Sequence, residues 1–372
     1  MMIDKNLPTA QAIAAHAADL HRSAIVIDGH CDILVPLADG KIRLGEPVVL
    51  PDPATWEPPL GLMGGATGDL AGMSPHSYYF SCARQYSIPQ WQAGGVTVQA
   101  CAIFLEDHQL ERALQRGLEM AWWLHKEVAE NEGLEMITAV SDIHRLKANN
   151  QCGLILAFEG FEPLGFDLRF LDIFYKLGLR LASLTHNRRN YFADGWQSHI
   201  HLGGLTALGK QAIRRMNELG IVIDLGHMSQ IGFWEIMELS TDPVVLSHTS
   251  VRKLFPAKPE DSPWHPARDV SRGHERLRLL ADKGGVVGII FYGNEDVAEV
   301  IADMEYALNL VGPDHVALGS DFYGLDGAPR GLETIDKLPR LTEALVRRGH
   351  TDETIRKVLG ENYLRVFARV WK

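Results

Sequence analysis

Short apolar runs alternate with longer amphipathic stretches along this chain. The runs are AIVID at 24–28, VTVQACAIF at 96–104, GLILAF at 153–158, RLASLT at 180–185, IVIDLG at 221–226, VVLSH at 244–248, GVVGIIF at 285–291 and HVALGS at 315–320. They are rich in Val, Ile and Leu and mostly lack strict polar–apolar alternation, which is the pattern of strands covered on both faces. Helical periodicity is clearest at 109–130, 204–219, 271–283, 296–310 and 332–349, with Gly220 as a C-cap and Asp352 capping a last helix pair. Alternating strand and helix predicts a parallel sheet. Eight strands predict an α/β fold, a (β/α)8 TIM barrel, with residues 1–372 as a single domain. The competing doubly wound open sheet lacks support, because no G-x-G-x-x-G or P-loop follows any strand.

One stretch breaks the rhythm. Residues 40–75 hold seven Gly and six Pro, yet Trp56, Leu60, Leu62 and Met63 give them something to bury. This irregular insertion leaves directly from the first strand, so it is expected over the barrel mouth or against a second subunit in a homodimer.

Composition narrows the function classes. With 46% hydrophobic and 22% charged residues the 372-residue chain reads as globular. The net charge of −11 argues against a nucleic-acid partner, which requires a clustered basic face. Four cysteines without a C-x-x-C pair point to a reducing compartment. The first twenty residues show no h-region and no window approaches a membrane span, so a cytoplasmic protein with no membrane partner is expected.

The chemistry lies just after the strands. The first runs into Asp28-Gly29-His30-Cys31-Asp32, and others end at Glu159, His186, His227, His248 and Asp321. In a barrel, the carboxyl ends of the strands share one mouth where catalytic groups collect. His30 and Asp32 are two apart on extended chain and point the same way, which suits two ligands of one metal. Imidazole with carboxylate favours Zn²⁺, with Mn²⁺, Co²⁺ and Fe²⁺ as alternatives. His227 and His248 can ligate a second ion, and Glu159 can bridge both through its two oxygens. Asp28 and Asp224 read as structural, and His199, His201 and His265 as loop or surface residues.

These stretches resemble the membrane (renal) dipeptidase family, binuclear zinc metallopeptidases on an amidohydrolase-like barrel. The resemblance is carried by DGHCD at 28–32, FEG at 158–160, LTHNRRN at 184–190, GGLTALGKQAIRRMNELGIVIDLGHMS at 203–229, SHTS at 247–250, GSDFYG at 319–324 and GENYLRVF at 360–367. It implies two Zn²⁺ ions, one on His30 and Asp32, the other on His227 and His248, with Glu159 between them. It implies that His186 binds the substrate carbonyl oxygen, that Arg268 in HPARD at 265–269 grips the substrate carboxylate, and that Asp321 is the catalytic aspartate. The expected activity is dipeptide hydrolysis through a metal-bridging hydroxide. The alternative is a related amidohydrolase acting on N-acyl amino acids, lactams or D-residue peptides. The chain departs from the family pattern at Tyr323, Asp269, the inserted Ala267 and Cys31, changes that bear on specificity rather than on the ligands.

Overall fold

The computed structural model describes residues 9–46, 86–196, 203–254, 273–325 and 327–372. Among the described residues nine strands form one sheet: β1 Ile27–Asp28, β2 Val98–Ile103, β3 Leu134–Met136, β4 Cys152–Glu159, β5 Leu179–Ser183, β6 Val222–Asp224, β7 Val245–Thr249, β8 Val286–Ile289 and β9 Val316–Leu318. Every pairing is parallel. Because β2 pairs with β4 and β1 pairs with both β2 and β9, eight of the strands close into a barrel. The ninth, β3, adds to the start of β4 beside the point where β5 takes over.

Each of the eight runs read from the sequence carries a barrel strand. The extra strand β3 escapes that reading because it has three residues, two of them only half-buried, and so offers no apolar run. Helices fill the connections: Ala113–Glu130, Ala207–Leu219, Gly273–Asp282 and Val297–Val311 lie where periodicity places them. The expected helix over 332–349 narrows to Pro339–Arg347, since Pro339 sits in the first turn where its missing N–H costs nothing. Further helices at Ala10–Ser23, Val140–Ala148, Arg169–Lys176 and Gln230–Leu239 complete the ring. Gly220 ends its helix in the left-handed conformation at φ 79°, as expected of a C-cap. The last pair is capped by Thr351, not Asp352: the Thr351 hydroxyl accepts from the Thr354 amide. Asp352 takes the first turn, where a carboxylate meets the positive end of the helix dipole.

Two apolar layers hold the barrel. Side chains on the outer faces of the strands pack under the helices. The lumen is filled from within by Ile27, Val98, Ile155, Leu181, Val222 and Val286, and the C-terminal helix Asn362–Val370 joins this cluster through Tyr363, Val366, Phe367 and Val370. A lumen packed with branched residues is a core, not a pore, so chemistry is confined to its ends. Of the 40–75 insertion, residues 47–75 lie outside the described residues, as do Cys82, His199, His201, His265 and Arg268.

Leu181 tests the lumen. Leu181→Ala should cost about 2–5 kcal/mol in urea unfolding, the range for a truncated core leucine. A loss below about 1 kcal/mol would mean that the lumen collapses around the gap.

Candidate metal centre

The carboxyl ends of β1, β4, β5, β6, β7 and β9 bring seven side chains to one place. Glu159 is the hub: its Oε1 lies 2.9 Å from His227 Nε2, 3.5 Å from His248 Nε2 and 3.7 Å from His30 Nε2. His30 Nε2 also lies 3.9 Å from Asp32 Oδ1 and 3.7 Å from Asp321 Oδ1. His227 and His248 bring their Nε2 atoms within 2.8 Å of each other. His186 packs against the His227 ring at 4.3 Å and against the edge of Phe104 at 4.6 Å. Three overlapping groups emerge, each with its ligand atoms within 4.8 Å: His30, Glu159 and His248; Glu159, His186 and His227; His30, Asp32 and Asp321. The sequence had paired His248 with His227 alone; in space it also belongs with His30.

Backbone conformation aims these groups. The chain around Cys31 is extended and paired on both sides: Cys31 N donates to Ala100 O and Cys31 O accepts from Ala102 N of β2, and on the other side Asp32 N donates to Phe322 O. That keeps His30 and Asp32 on one face. His227 and Asp321 take left-handed backbone at φ 58° and 63°, and Tyr323 follows at 66°. Each such residue costs on the order of 1–3 kcal/mol, and such strain collects where geometry serves function.

A second layer holds the imidazoles. Asp224 accepts from Ser247 N at 2.9 Å and from Ser247 Oγ at 2.5 Å. The Ser247 oxygen lies 2.9 Å from His248 Nδ1. With its own proton given to Asp224, that oxygen accepts the His248 Nδ1–H, which leaves the Nε2 lone pair facing Glu159. Asp28 makes the same clamp on the other side, accepting from Ser320 N at 2.8 Å and Ser320 Oγ at 2.5 Å, one residue before Asp321. Asp28 and Asp224 are therefore bonded into the framework, in keeping with their structural reading. Asn187 and Trp196 were not singled out in the sequence, yet His227 Nδ1 lies 2.8 Å from Asn187 Oδ1 and 3.2 Å from Trp196 Nε1. Asn187 follows His186 directly, so a polar neighbour of a candidate site residue was the available signal; Trp196 had none.

The electrostatics are those of a site built around positive charge. Burial, then the charge of His227, pushes the His30 imidazole down to about 3. Burial likewise lowers His186 and His248, with neighbouring imidazoles adding to it. All three rings are thus neutral, with lone pairs to offer. Burial raises Glu159 and Asp32 well above the carboxylate range, and next in size come the charge of Asp224 on Glu159 and of Glu159 on Asp32. A cation among them relieves both the burial penalty and the mutual repulsion.

The residues fit a divalent ion on two independent grounds. His30 Nε2 and Asp32 Oδ1 are buried without a hydrogen-bond partner, although buried polar atoms are nearly always paired. At Gly324, a methyl group would overlap both Asp32 Oδ2 and Asp321 Oδ1, so the missing side chain lets the two carboxylates draw together.

Fold and mouth together define the class, a (β/α)8 barrel with a metal-ligand cluster at its carboxyl end. Residues 14–372 match the membrane dipeptidase family, peptidase family M19, and the chain belongs to that family. The dipeptidase tcpJ of Claviceps purpurea is 30% identical over 249 residues, 64% of this chain and 56% of its own length. The dipeptidase aclJ of Aspergillus oryzae is 31% identical over 245 residues, 63% of this chain and 56% of its own length. The chain thus spans about half the length of these two relatives. Among solved structures, a dipeptidase described as a metallopeptidase aligns with TM-score 0.74 at 23% identity, covering 94% of this chain and 99% of that one. A metallopeptidase from Rhodobacter sphaeroides, crystallised with a phosphinate mimic of the dipeptide L-Ala-D-Ala, aligns with TM-score 0.73 at 23% identity over 94% and 99% of the two chains. These likenesses establish the barrel.

Gly324→Ala should push Asp32 and Asp321 apart. Zn²⁺ affinity, measured against a competing chelator, should fall by about tenfold or more, the scale of supporting-shell changes. Unchanged affinity would show that the two carboxylates need no such approach.

Proposed function

We propose that this chain is a dipeptidase that works with two divalent ions, Zn²⁺ foremost. The carrying observation is the Glu159 carboxylate, whose one oxygen lies within 3.7 Å of the Nε2 atoms of His30, His227 and His248. Three imidazoles together with Glu159 and Asp32 are more ligands than one ion with an open position takes, so the set suits two ions better than one. His30 and Asp32 would hold one ion, His227 and His248 the other, with Glu159 common to both. Bound dications supply Lewis acidity and bring the pKa of water to about 7.

The protein groups do the rest. Asp321, 3.7 Å from His30 Nε2, stands beside the ligands rather than among the clamps and would take the proton of the attacking water. It would then return that proton to the leaving amine. His186, neutral and half-buried, would donate to the carbonyl oxygen as negative charge builds there, a contribution typically of about 3 kcal/mol per donor. Arg268, outside the described residues, would offer a planar fork to the free carboxylate and so restrict the enzyme to very short peptides. The dipeptide mimic in the Rhodobacter relative supports this substrate class, with a D-residue in second place included.

The test is a hydrolysis panel of L,L and L,D dipeptides, N-acyl amino acids and lactams with zinc-reconstituted enzyme, run beside elemental analysis. Turnover of dipeptides and a plateau at two ions per chain are expected. Selective turnover of acylated amino acids or lactams would move the substrate class, and a plateau at one ion would end the two-ion reading.

Asp321→Asn keeps the shape but cannot carry a proton. Both ions should stay bound while kcat falls by about 10²–10⁴-fold, the scale of general acid–base catalysis. Activity within about threefold of wild type would remove Asp321 from this role.

A further inference from the structure

The C-terminal helix Asn362–Val370 closes the lumen from below. It is preceded by a wide π turn, Lys357–Glu361, a feature that shifts the phase of a helix and is frequent at functional places. The second residue after it is Tyr363, a fully buried phenol among the apolar side chains of the lumen. A hydroxyl in such surroundings is costly without a partner. The Tyr363 O–H finds one in the carbonyl of Ser247, to which it donates at 3.1 Å.

The location of that bond matters. Ser247 directly precedes His248. The ladder between β7 and β8 shifts register between Leu246 and Thr249, that is, across Ser247 and His248, so pairing with β8 is interrupted where the ligand is presented. The barrel also makes room for the hydroxyl. A methyl at Gly29, the residue before His30, would overlap Tyr363 Oη, and one at Gly288 would lie 2.7 Å from it. The phenol tip therefore touches the backbone behind two candidate ligands, His30 and His248, whose rings lie 3.9 Å apart.

We propose that Tyr363 is a positioning residue of the metal centre: its hydroxyl, reaching up the lumen from the C-terminal helix, holds the Ser247 peptide in the gap of the ladder and so sets His248 against Glu159. This rests on the two-ion reading above. The Asp224 clamp fixes the ring of His248 from one side; Tyr363 fixes the backbone that carries it. A phenylalanine would fill the lumen equally well, so the hydroxyl alone separates positioning from packing.

The experiment compares Tyr363→Phe with Phe367→Leu. Phe367 stacks on Tyr363 at 5.7 Å in the same cluster, so its truncation disturbs packing without touching the hydroxyl. Stepwise Zn²⁺ affinities are measured against a chelator, the visible spectrum of the Co²⁺-loaded protein is recorded, and the metal-free chains are unfolded in urea. Tyr363→Phe is expected to weaken one of the two ions by about tenfold or more and to change the Co²⁺ spectrum. Phe367→Leu is expected to lower stability and leave both readouts alone. Wild-type affinity and spectrum in Tyr363→Phe would overturn the proposal, as would equal metal losses in both variants. Loss of the fold in Tyr363→Phe would also overturn it, since positioning requires a barrel that closes without the hydroxyl. Wild-type protein binding fewer than two ions would instead strike the two-ion reading, which the same titration reports separately.

Discussion

Glu159 is the constraint around which this molecule is arranged. A carboxylate at the end of a strand, almost wholly buried, faces three imidazoles and shares its surroundings with Asp32. Nothing in the apolar lumen below can stabilise its charge. Burial of an ionised carboxylate is tolerated only with compensating charge or hydrogen bonds. The His30 and His248 imidazoles, held neutral by the same burial, offer lone pairs rather than charge. Such a cluster suits a divalent cation, and the rest of the mouth serves to hold its members still.

That holding is done twice over in the same way. On one side Asp28 receives the amide and hydroxyl of Ser320; on the other Asp224 receives those of Ser247. Each clamp ties neighbouring strands together just where a candidate site residue follows, Asp321 in one case and His248 in the other. Short hydrogen bonds to a carboxylate are the stronger kind, and they are strongest in a buried setting. They help sustain the left-handed backbone at His227 and Asp321, which local sequence would not choose. Positioning is thus shared between strand ends and a buried polar layer.

The barrel was legible because its cause is local and repeated. Eight apolar runs, each long enough for a strand buried on both faces, could be counted without knowing their neighbours. The candidate ligands were legible for the same reason: His30, Asp32, Glu159, His227 and His248 each follow or end such a run, and a parallel barrel sends all those ends to one side. What was missed was short or unpatterned. Strand β3 has three residues, and Trp196 is a loop tryptophan whose contact with His227 joins positions 31 apart in the chain. Thr351 rather than Asp352 caps its helix because both residue types suit that place and only the local geometry separates them.

By itself the sequence determined the periodicity, the strand count and which residue types stand at the strand ends, since these depend on near neighbours and on one chemical property at a time. Only the tertiary structure decided which of them meet. The approach of His30 to His248, the sharing of Glu159, the roles of Asp28 and Asp224 as clamps and the reach of Tyr363 to Ser247 all join residues tens to hundreds of positions apart. Their distances follow from how eight strands close, where the β7–β8 ladder slips and where glycine leaves space. Those are properties of packing in three dimensions, and no stretch of chain carries them alone.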